Sequence, residues 1–424
     1  MKLATLRKTT RFLLPIIPAL LLSACSNLLD LRQDLITAKS SFALVAGTVE
    51  SPECPECPTI VVTLGDHAGK KIHAYRVLES PGSFEIVTSG ESRHLFAFND
   101  LNSDFQYQPE EPAGWYELPA DFKAGQRVDD LQINILPAKP DRPAMPTIGN
   151  LFNLRATTPE MIDVRLGTVT TLDDPRFEQD MAGLGMWRPL HFMKAGYAGI
   201  YFLEAYSPEK VPILFVHGIN GSPRDFSSMI SHLDRTQFQP WVLYLPSGLN
   251  IQSLGDGMLG ILSELHLRYN FRNMHIVAHS MGGLIARSYL GACEQAGNCR
   301  YVRSFTSLSS PFGGDSAARS GVDYAPVVMP VWKSMVPGSE FLSELFQTPI
   351  PSGVPHFMLF GYRNTNLVGT ISGDGVIPLA SQLRPEAQAQ AAAIRGFDED
   401  HMSILGSDSA HAYVYQLLSG DGRW

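Results

Sequence analysis

Alternating strand and helix signals in the second half of the chain constrain its fold most strongly. Apolar, strand-like runs occupy residues 211–216, 241–245 and 274–278, and helical segments follow Pro223 and cover residues 252–267. Strands joined by helices in this way pack as a parallel sheet with helices on both faces. The sequence therefore predicts an α/β domain with a mostly parallel sheet. Short β-rich runs broken by Gly, Pro, Asn and Asp predict a separate small all-β domain before residue 137.

Ser280 lies where one of these strands meets a helix. The strand-like run continues into Ala278-His279-Ser280-Met281-Gly282, and residues 284–290 have helical character. Small residues on both flanks let the strand and the helix pack closely, while the serine adopts a strained backbone and projects its hydroxyl. A serine that only caps the helix is the alternative. The context predicts a nucleophile.

This segment resembles the nucleophile elbow of α/β-hydrolase lipases and esterases, with Ala278 replacing the first glycine of Gly-x-Ser-x-Gly, as in a subset of bacterial lipases. The resemblance covers roughly residues 200–424 and extends to deacylases that act on glycolipid anchors. Residues 212–221 resemble the His-Gly oxyanion segment of these hydrolases. This implies that the N–H groups of Ile219 and Met281 stabilise the oxyanion. We interpret His217 and His279 as structural.

The superfamily orders its triad as serine, acid and histidine along the chain, so the partners of Ser280 are expected after it. Asp374 lies in a Gly-rich loop after a strand-like run at residues 356–361. His401 lies between residues 394–397, a plausible last strand, and a C-terminal helix. Solvated loop residues are the alternative for both. The resemblance implies Ser280 as nucleophile, His401 as general base and Asp374 as the orienting acid, with no cofactor required.

Residues 317–355 are rich in Met, Val, Pro, Phe and Leu, with four apolar residues at helical spacing: Phe341, Leu342, Leu345 and Phe346. A lid over the site and plain core packing explain this pattern equally well. A lid would suit lipid-like or long-chain acyl esters. Our first hypothesis is a serine hydrolase of carboxylic esters. An acyltransferase with the same triad and a non-catalytic envelope lipoprotein are the alternatives.

The first residues have the pattern of a secretory signal. Four basic residues precede an apolar run over residues 12–22, which is too short to span a bilayer as a helix. The run ends in Leu22-Ser23-Ala24-Cys25, which resembles the lipobox of bacterial lipoproteins, and Ser26 follows it. This resemblance implies a lipid anchor on Cys25 and sorting to the outer membrane. An ordinary cleaved signal is the alternative. We expect a lipid-anchored protein of the bacterial cell envelope with an ester or lipid substrate.

The expected organisation has five parts: a lipoprotein signal peptide at 1–24, a lipidated stalk at 25–40, a β-sandwich at 41–136, a Pro-rich linker at 137–149 and the α/β-hydrolase domain at 150–424. The β-sandwich resembles transthyretin-like, carboxypeptidase-regulatory domains on weak motifs. The formal net charge of −9 makes a nucleic-acid partner unexpected.

Four further cysteines form two local pairs, Cys54 with Cys57 and Cys293 with Cys299. Because an exported protein meets an oxidising environment, two disulfides are favoured over a zinc or redox site.

A stretch of the β-domain places oxygen ligands at the spacing of an EF-hand: Asp100, Asn102, Asp104 and Glu111. However, Phe105 occupies the position where the sharp turn of such a loop needs glycine. We therefore favour an ordinary turn over a calcium site.

Overall fold

The computed structural model describes residues 16–138, 146–151, 164–297, 300–364 and 372–420, with the backbone alone for residues 16–25. The chain begins there with a long helix, α1 (Ile16–Ser41), and two groups of strands follow. No helix in the described ranges is long and apolar enough to cross a membrane.

Seven strands form the all-β domain: β1 (Phe42–Glu50), β2 (Thr59–Leu64), β3 (Ile72–Leu78), β4 (Ser83–Ser89), β5 (His94–Asn99), β6 (Ala113–Glu117) and β7 (Arg127–Asn134). They make a three-stranded sheet in the order β4-β1-β7 and a four-stranded sheet in the order β3-β2-β5-β6. Alternate residues of both sheets, such as Val45 and Leu95, share one core, as the two-residue period of strands requires. The predicted small β-sandwich is confirmed.

A second core lies on the other face of the four-stranded sheet. Strand β2 is buried along its whole length because its run of apolar residues has packing partners on both faces. Ile148 and Leu151 pack into this second core, so the end of the expected linker is part of the folded β-domain. Residues 139–145 of that linker fall outside the described ranges.

Eight strands form the large sheet of the α/β domain: β8 (Arg165–Val169), β9 (Gly199–Phe202), β10 (Val211–Val216), β11 (Phe238–Tyr244), β12 (Met274–His279), β13 (Val302–Leu308), β14 (His356–Gly361) and β15 (Ala391–Phe397). Their order is β15-β14-β13-β12-β10-β11-β9-β8. All neighbours are parallel except β9 and β11. The predicted mostly parallel sheet is confirmed.

The helices that accompany this sheet are α2 (Gln179–Trp187), α3 (Pro189–Lys194), α4 (Ser227–Ser231), α5 (Ile251–Tyr269), α6 (Met281–Ala296), α7 (Ser316–Tyr324), α8 (Pro330–Met335), α9 (Glu340–Glu344), α10 (Leu379–Gln382), α11 (Pro385–Ala389) and α12 (Asp408–Ser419). Successive residues of β10 face opposite sides. Leu214 packs in the core that contains α5 and α6, and Phe215 packs in the core that contains α12. Helices therefore cover both faces, as predicted.

The structure shows how two further segments pack: the expected stalk and the possible lid. The expected stalk is helical and packs on the α/β domain. Leu31 is buried, and the Asp34 carboxylate accepts backbone N–H groups of Leu190 and His191 at the start of α3. In the possible lid at residues 317–355, the apolar stripe packs inward. Leu342 and Leu345 join the hydrolase core, so this stripe is core packing in the described structure.

Candidate active site

The turn between β12 and α6 holds Ser280 in a backbone conformation that few non-glycine residues adopt. Its φ is 55° and its ψ is −130°. Gly282 and Gly283 make this turn sterically feasible, since a Cβ on either would collide with Val216 O or with the Ser310 side chain. The strain at Ser280 is the kind that concentrates at functional sites. It directs the hydroxyl away from α6 and towards His401.

Ser280, His401 and Asp374 form a continuous hydrogen-bonded chain. The Ser280 Oγ lies 3.0 Å from His401 Nε2, and His401 Nδ1 lies 2.7 Å from Asp374 Oδ2. An ionised carboxylate can only accept, so Nδ1 carries the ring proton and Nε2 is free to accept the Ser280 hydroxyl proton. All three residues are less than 9 % exposed. The structure thus brings together three side chains that are distant in sequence.

The loop after β14 fixes the Asp374 carboxylate. The backbone N–H groups of Val376 and Ile377 donate to Oδ1 at 3.0 and 2.6 Å. Burial alone would raise the pKa of Asp374, but the hydrogen bond and charge of His401, with these backbone bonds, bring the pKa below its ordinary value. The group therefore stays ionised and keeps His401 in one tautomer.

Gln382 and Ser309 support this acid loop, and sequence reasoning did not identify either. The Gln382 amide donates to Gly361 O at 3.1 Å and to Ile377 O at 3.0 Å. Ser309 Oγ accepts the Gly361 N–H at 3.2 Å. The bonds of Ser309 and Gln382 to Gly361 join residues 52 and 21 positions apart, so no local motif signals them.

His279 supports the loop of His401 and does not contact Ser280 Oγ in the described hydrogen bonds. Its Nε2 lies 2.8 Å from the His401 carbonyl oxygen, to which it donates. Burial, reinforced by the nearby His401, lowers the pKa of His279 to about 3. A neutral ring in this place donates one proton to the backbone and adds no charge beside the site.

His217 holds the segment before Ser280. The Leu245 N–H donates to His217 Nε2 at 3.1 Å, so Nδ1 carries the proton and donates to Gly218 O at 2.8 Å. Burial lowers the pKa of His217 to about 4. The contacts of both histidines agree with the structural roles expected for them.

The expected oxyanion donors lie on the two sides of Ser280. Met281 is the first residue of α6, so its N–H has no acceptor within that helix. On the other side, the backbone before Ile219 abuts the nucleophile, since a Cβ on Gly218 would lie 2.9 Å from Ser280 Cβ. Asn220, held by its N–H bond to Ser247 Oγ at 3.1 Å, continues this turn with a φ of 53°. The roles of the Ile219 and Met281 N–H groups as oxyanion donors stay a prediction.

The remaining predicted residues lie away from this centre. Cys54 and Cys57 are joined by a disulfide, as expected. Cys293 is buried in α6, and its expected partner Cys299 lies outside the described residues. The side chain of Cys25 is also outside the described part, although its backbone belongs to α1.

The acidic loop after β5 is an ordered turn. Asp100 accepts the N–H groups of Asp104 and Phe105, and Glu111 accepts those of Leu101 and Gln108, at 2.9 to 3.1 Å. Backbone donors thus occupy carboxylate oxygens that a cation would need, which agrees with the favoured turn.

The part of the chain that carries this site matches a known protein family. Residues 250–415, which include the serine, the acid and the histidine, match the family described as "Alpha/beta hydrolase of unknown function". No curated protein matches the chain in sequence.

Solved structures give weaker likenesses. The mature lipase of Bacillus licheniformis is 22% identical, with 51% of this chain and 94% of that chain covered and a TM-score of 0.42. Aspergillus fumigatus lipase B is 18% identical, with 54% of this chain and 57% of that chain covered and a TM-score of 0.41. A Legionella pneumophila phospholipase is 16% identical, with 41% of this chain and 44% of that chain covered and a TM-score of 0.35. At such scores these likenesses carry no conclusion about activity.

The family match spans α5 to α12, and the strands within that span belong to the eight-stranded sheet with helices on both faces. The chain has an α/β-hydrolase fold, and its residues 250–415 match a family of α/β-hydrolases.

Proposed function

We propose that this protein is a serine hydrolase of carboxylic esters. The observation that carries the proposal is the hydrogen-bonded chain from Ser280 Oγ through His401 to Asp374 Oδ2, at 3.0 and 2.7 Å. A buried carboxylate, an oriented imidazole and a hydroxyl in this order activate a serine for attack on acyl groups.

The steps follow from the atoms in place. His401 Nε2 takes the hydroxyl proton as Ser280 Oγ bonds to the ester carbonyl carbon, and Asp374 stabilises the resulting imidazolium. The N–H groups of Ile219 and Met281 stabilise the oxyanion. His401 then gives the proton to the departing alcohol, which leaves an acyl-enzyme on Ser280. Water, deprotonated by His401, releases the acid and regenerates the enzyme.

Ester hydrolysis by purified variants tests this proposal. Ser280→Ala should lower kcat for a p-nitrophenyl ester by about 10⁴-fold or more, because it removes the nucleophile. Ser263→Ala, which alters another buried serine in α5, is the matched control and should retain full activity. Equal activity in both variants would refute Ser280 as the nucleophile.

We further propose that the acyl group is hydrophobic. Ile219, beside the nucleophile, belongs with Met186, Trp187 and Trp332 to the partly buried rim of one apolar cluster. Helix α8 docks on the loop after β11 through the Val331 N–H, which donates to Gly248 O at 3.3 Å. The rings of Trp187 and Trp332 lie 6.4 Å apart, and this apolar surface supports a lipid-like ester as substrate.

A chain-length series distinguishes the substrate classes. Esters of increasing acyl length should be hydrolysed with rising kcat/KM, and Trp332→Ala should reduce this preference while sparing an acetyl ester. A flat series would contradict the hydrophobic-acyl proposal without affecting the serine mechanism. Adding an alcohol acceptor separates hydrolysis from acyl transfer, since a transferase would give the new ester.

We also propose that Cys25 carries a lipid anchor that holds the protein at the bacterial outer membrane. The support is the basic and apolar leader that ends in Leu22-Ser23-Ala24-Cys25. Metabolic labelling with a fatty acid should mark the parent protein and not Cys25→Ser. Fractionation should find only the parent in outer membranes, and equal membrane recovery of both would contradict the anchor.

A further inference from the structure

Three metal-binding side chains meet at one end of the four-stranded sheet, in the β-domain. His67 lies in the turn after β2, His94 begins β5 and Glu117 ends β6. Each offers one ligand atom, and these three atoms lie within 4.8 Å of one another. We propose that His67, His94 and Glu117 bind a divalent transition-metal ion of the zinc class.

The backbone holds this cluster in register. Strand β5 lies between β2 and β6, and His94 pairs directly with Leu64 on one side and with Glu117 on the other. The turn that carries His67 is itself fixed, because Asp66 Oδ1 accepts the N–H groups of Ala68 at 2.9 Å and Lys70 at 3.2 Å. Three neighbouring strand ends therefore present the ligands without a long mobile loop.

The distances suit a small ion. His67 Nε2 lies 3.6 Å from Glu117 Oε1. Two ligands about 2.1 Å from a tetrahedral zinc ion are separated by about 3.4 Å. The ligand atom of His94 lies within 4.8 Å of the other two, and the exposed His67 side chain can rotate to shorten its distance to that atom. The side chains of His67 and Glu117 are 65% and 75% exposed, which leaves an entry path for the ion and room for water as a fourth ligand.

The chemistry of the donors favours a borderline metal over calcium or magnesium. Two imidazoles and one carboxylate are ligands that zinc, copper and nickel prefer, whereas calcium and magnesium prefer oxygen alone. The buried Nδ1 of His94 has no hydrogen-bond partner among the described residues. The Trp115 ring lies 5.2 Å from that of His67 and 5.9 Å from that of His94, and forms an apolar wall on one side.

Calorimetric titration of the chelator-treated full chain with zinc chloride tests the site. We expect one ion per chain, with affinity at least tenfold weaker in His67→Ala and in Glu117→Gln. Both altered side chains are largely exposed, so these variants should fold even if His94→Ala does not. The exposed His191→Ala is the matched control and should bind like the parent.

Two further readouts complete the test. Zinc should raise the melting temperature of the parent and of His191→Ala but not of the two ligand variants, and calcium chloride should raise none of them. Ester hydrolysis should be equal in all four proteins, which separates this site from the proposed active site. No zinc binding by the parent, or equal zinc affinity in the parent and both ligand variants, would overturn the proposal.

Discussion

At the scale of single residues, Asp374 shows how burial and hydrogen bonding oppose each other. The carboxylate is 1 % exposed, yet its pKa is below the ordinary value because His401 and two backbone N–H groups compensate for the lost water. Because the ionised carboxylate can only accept, it selects the Nδ1–H tautomer of the neutral His401 ring. The loop after β14 therefore both positions the Asp374 carboxylate and keeps it ionised.

Asp374→Asn should leave the fold intact and lower kcat by about 10³- to 10⁴-fold, because the neutral amide no longer enforces the Nδ1–H tautomer of His401 or stabilises the imidazolium. Steady-state hydrolysis of a p-nitrophenyl ester measures this. Asp398→Asn, in the loop before His401 and exposed, is the control. Comparable losses in both variants would argue against Asp374 as the orienting acid.

Buried neutral histidines give the protein a predictable acid sensitivity. Burial and then the nearby Arg287 lower the pKa of His356 from 6.5 to about 3. Because the folded-state pKa lies below the unfolded one, the contribution to stability is fully present above pH 6.5 and is lost as pH falls towards 3. The slope is about 1.4 kcal/mol per pH unit for one proton in that window.

His356→Gln should remove about one proton from that pH dependence, while the amide can still reach Ser307 Oγ, which lies 2.9 Å from His356 Nε2. Chemical denaturation at several values between pH 6 and 4.5 measures the slope of the unfolding free energy. The exposed His191→Gln should keep the parental slope. An unchanged slope in His356→Gln would show that His356 is not buried in its neutral form.

At the scale of elements, the sequence predicted those strands, turns and helices that contacts between nearby residues determine. The strand, turn and helix around Ser280 follow from small residues at fixed positions, and the order of the acid and histidine loops follows from the resemblance. The bond from Gln382 to Gly361 could not be predicted, since it joins segments 21 residues apart that only the fold brings together. Strand β8 was also missed, because Arg165–Val169 has a short and only partly apolar run.

The docking of α1 is another contact that no local pattern signals. Asp34 Oδ2 accepts the Leu190 N–H at 2.7 Å and Oδ1 accepts the His191 N–H at 3.1 Å, so one helix caps the start of another. If Cys25 carries a lipid, this contact would hold the hydrolase domain close to the bilayer.

Asp34→Ala should lower the free energy of unfolding by about 1 kcal/mol, the usual cost of losing a cap. Thermal melting measures the change, and Asp30→Ala, exposed and one helical turn earlier, serves as the control. Faster proteolysis within residues 26–41 of Asp34→Ala should accompany the lower stability. Identical melting temperatures of the two variants would contradict a stabilising contact between Asp34 and the start of α3.

At the scale of the whole molecule, the β-domain and the hydrolase domain share buried polar contacts. Tyr75 in β3 donates its hydroxyl to Glu264 Oε1 at 2.7 Å, and Arg76 donates to Asp256 O at 2.9 Å. Leu267 of α5 packs on the second core of the β-domain, on the other face of the four-stranded sheet. Composition and motifs predicted two domains, but this interface depends on which faces meet and was not predictable from either domain alone.

Tyr75→Phe should destabilise the protein by about 1 to 3 kcal/mol, because it removes a donor from the buried Glu264 carboxylate. Tyr116→Phe, in the same sheet and only partly buried, should cost less. Denaturant unfolding monitored by far-UV circular dichroism compares the two. A larger loss in Tyr116→Phe would show that the interface does not depend on this bond.

The measurement that tests the central claim most directly is mass spectrometry of the protein after reaction with a fluorophosphonate. The account predicts a single stoichiometric adduct on the peptide that contains Ser280, its loss in Ser280→Ala, and much slower labelling in His401→Gln, where the base is missing. An adduct on another residue, or a parent protein that stays unlabelled while folded, would contradict the assignment of Ser280 as the activated nucleophile.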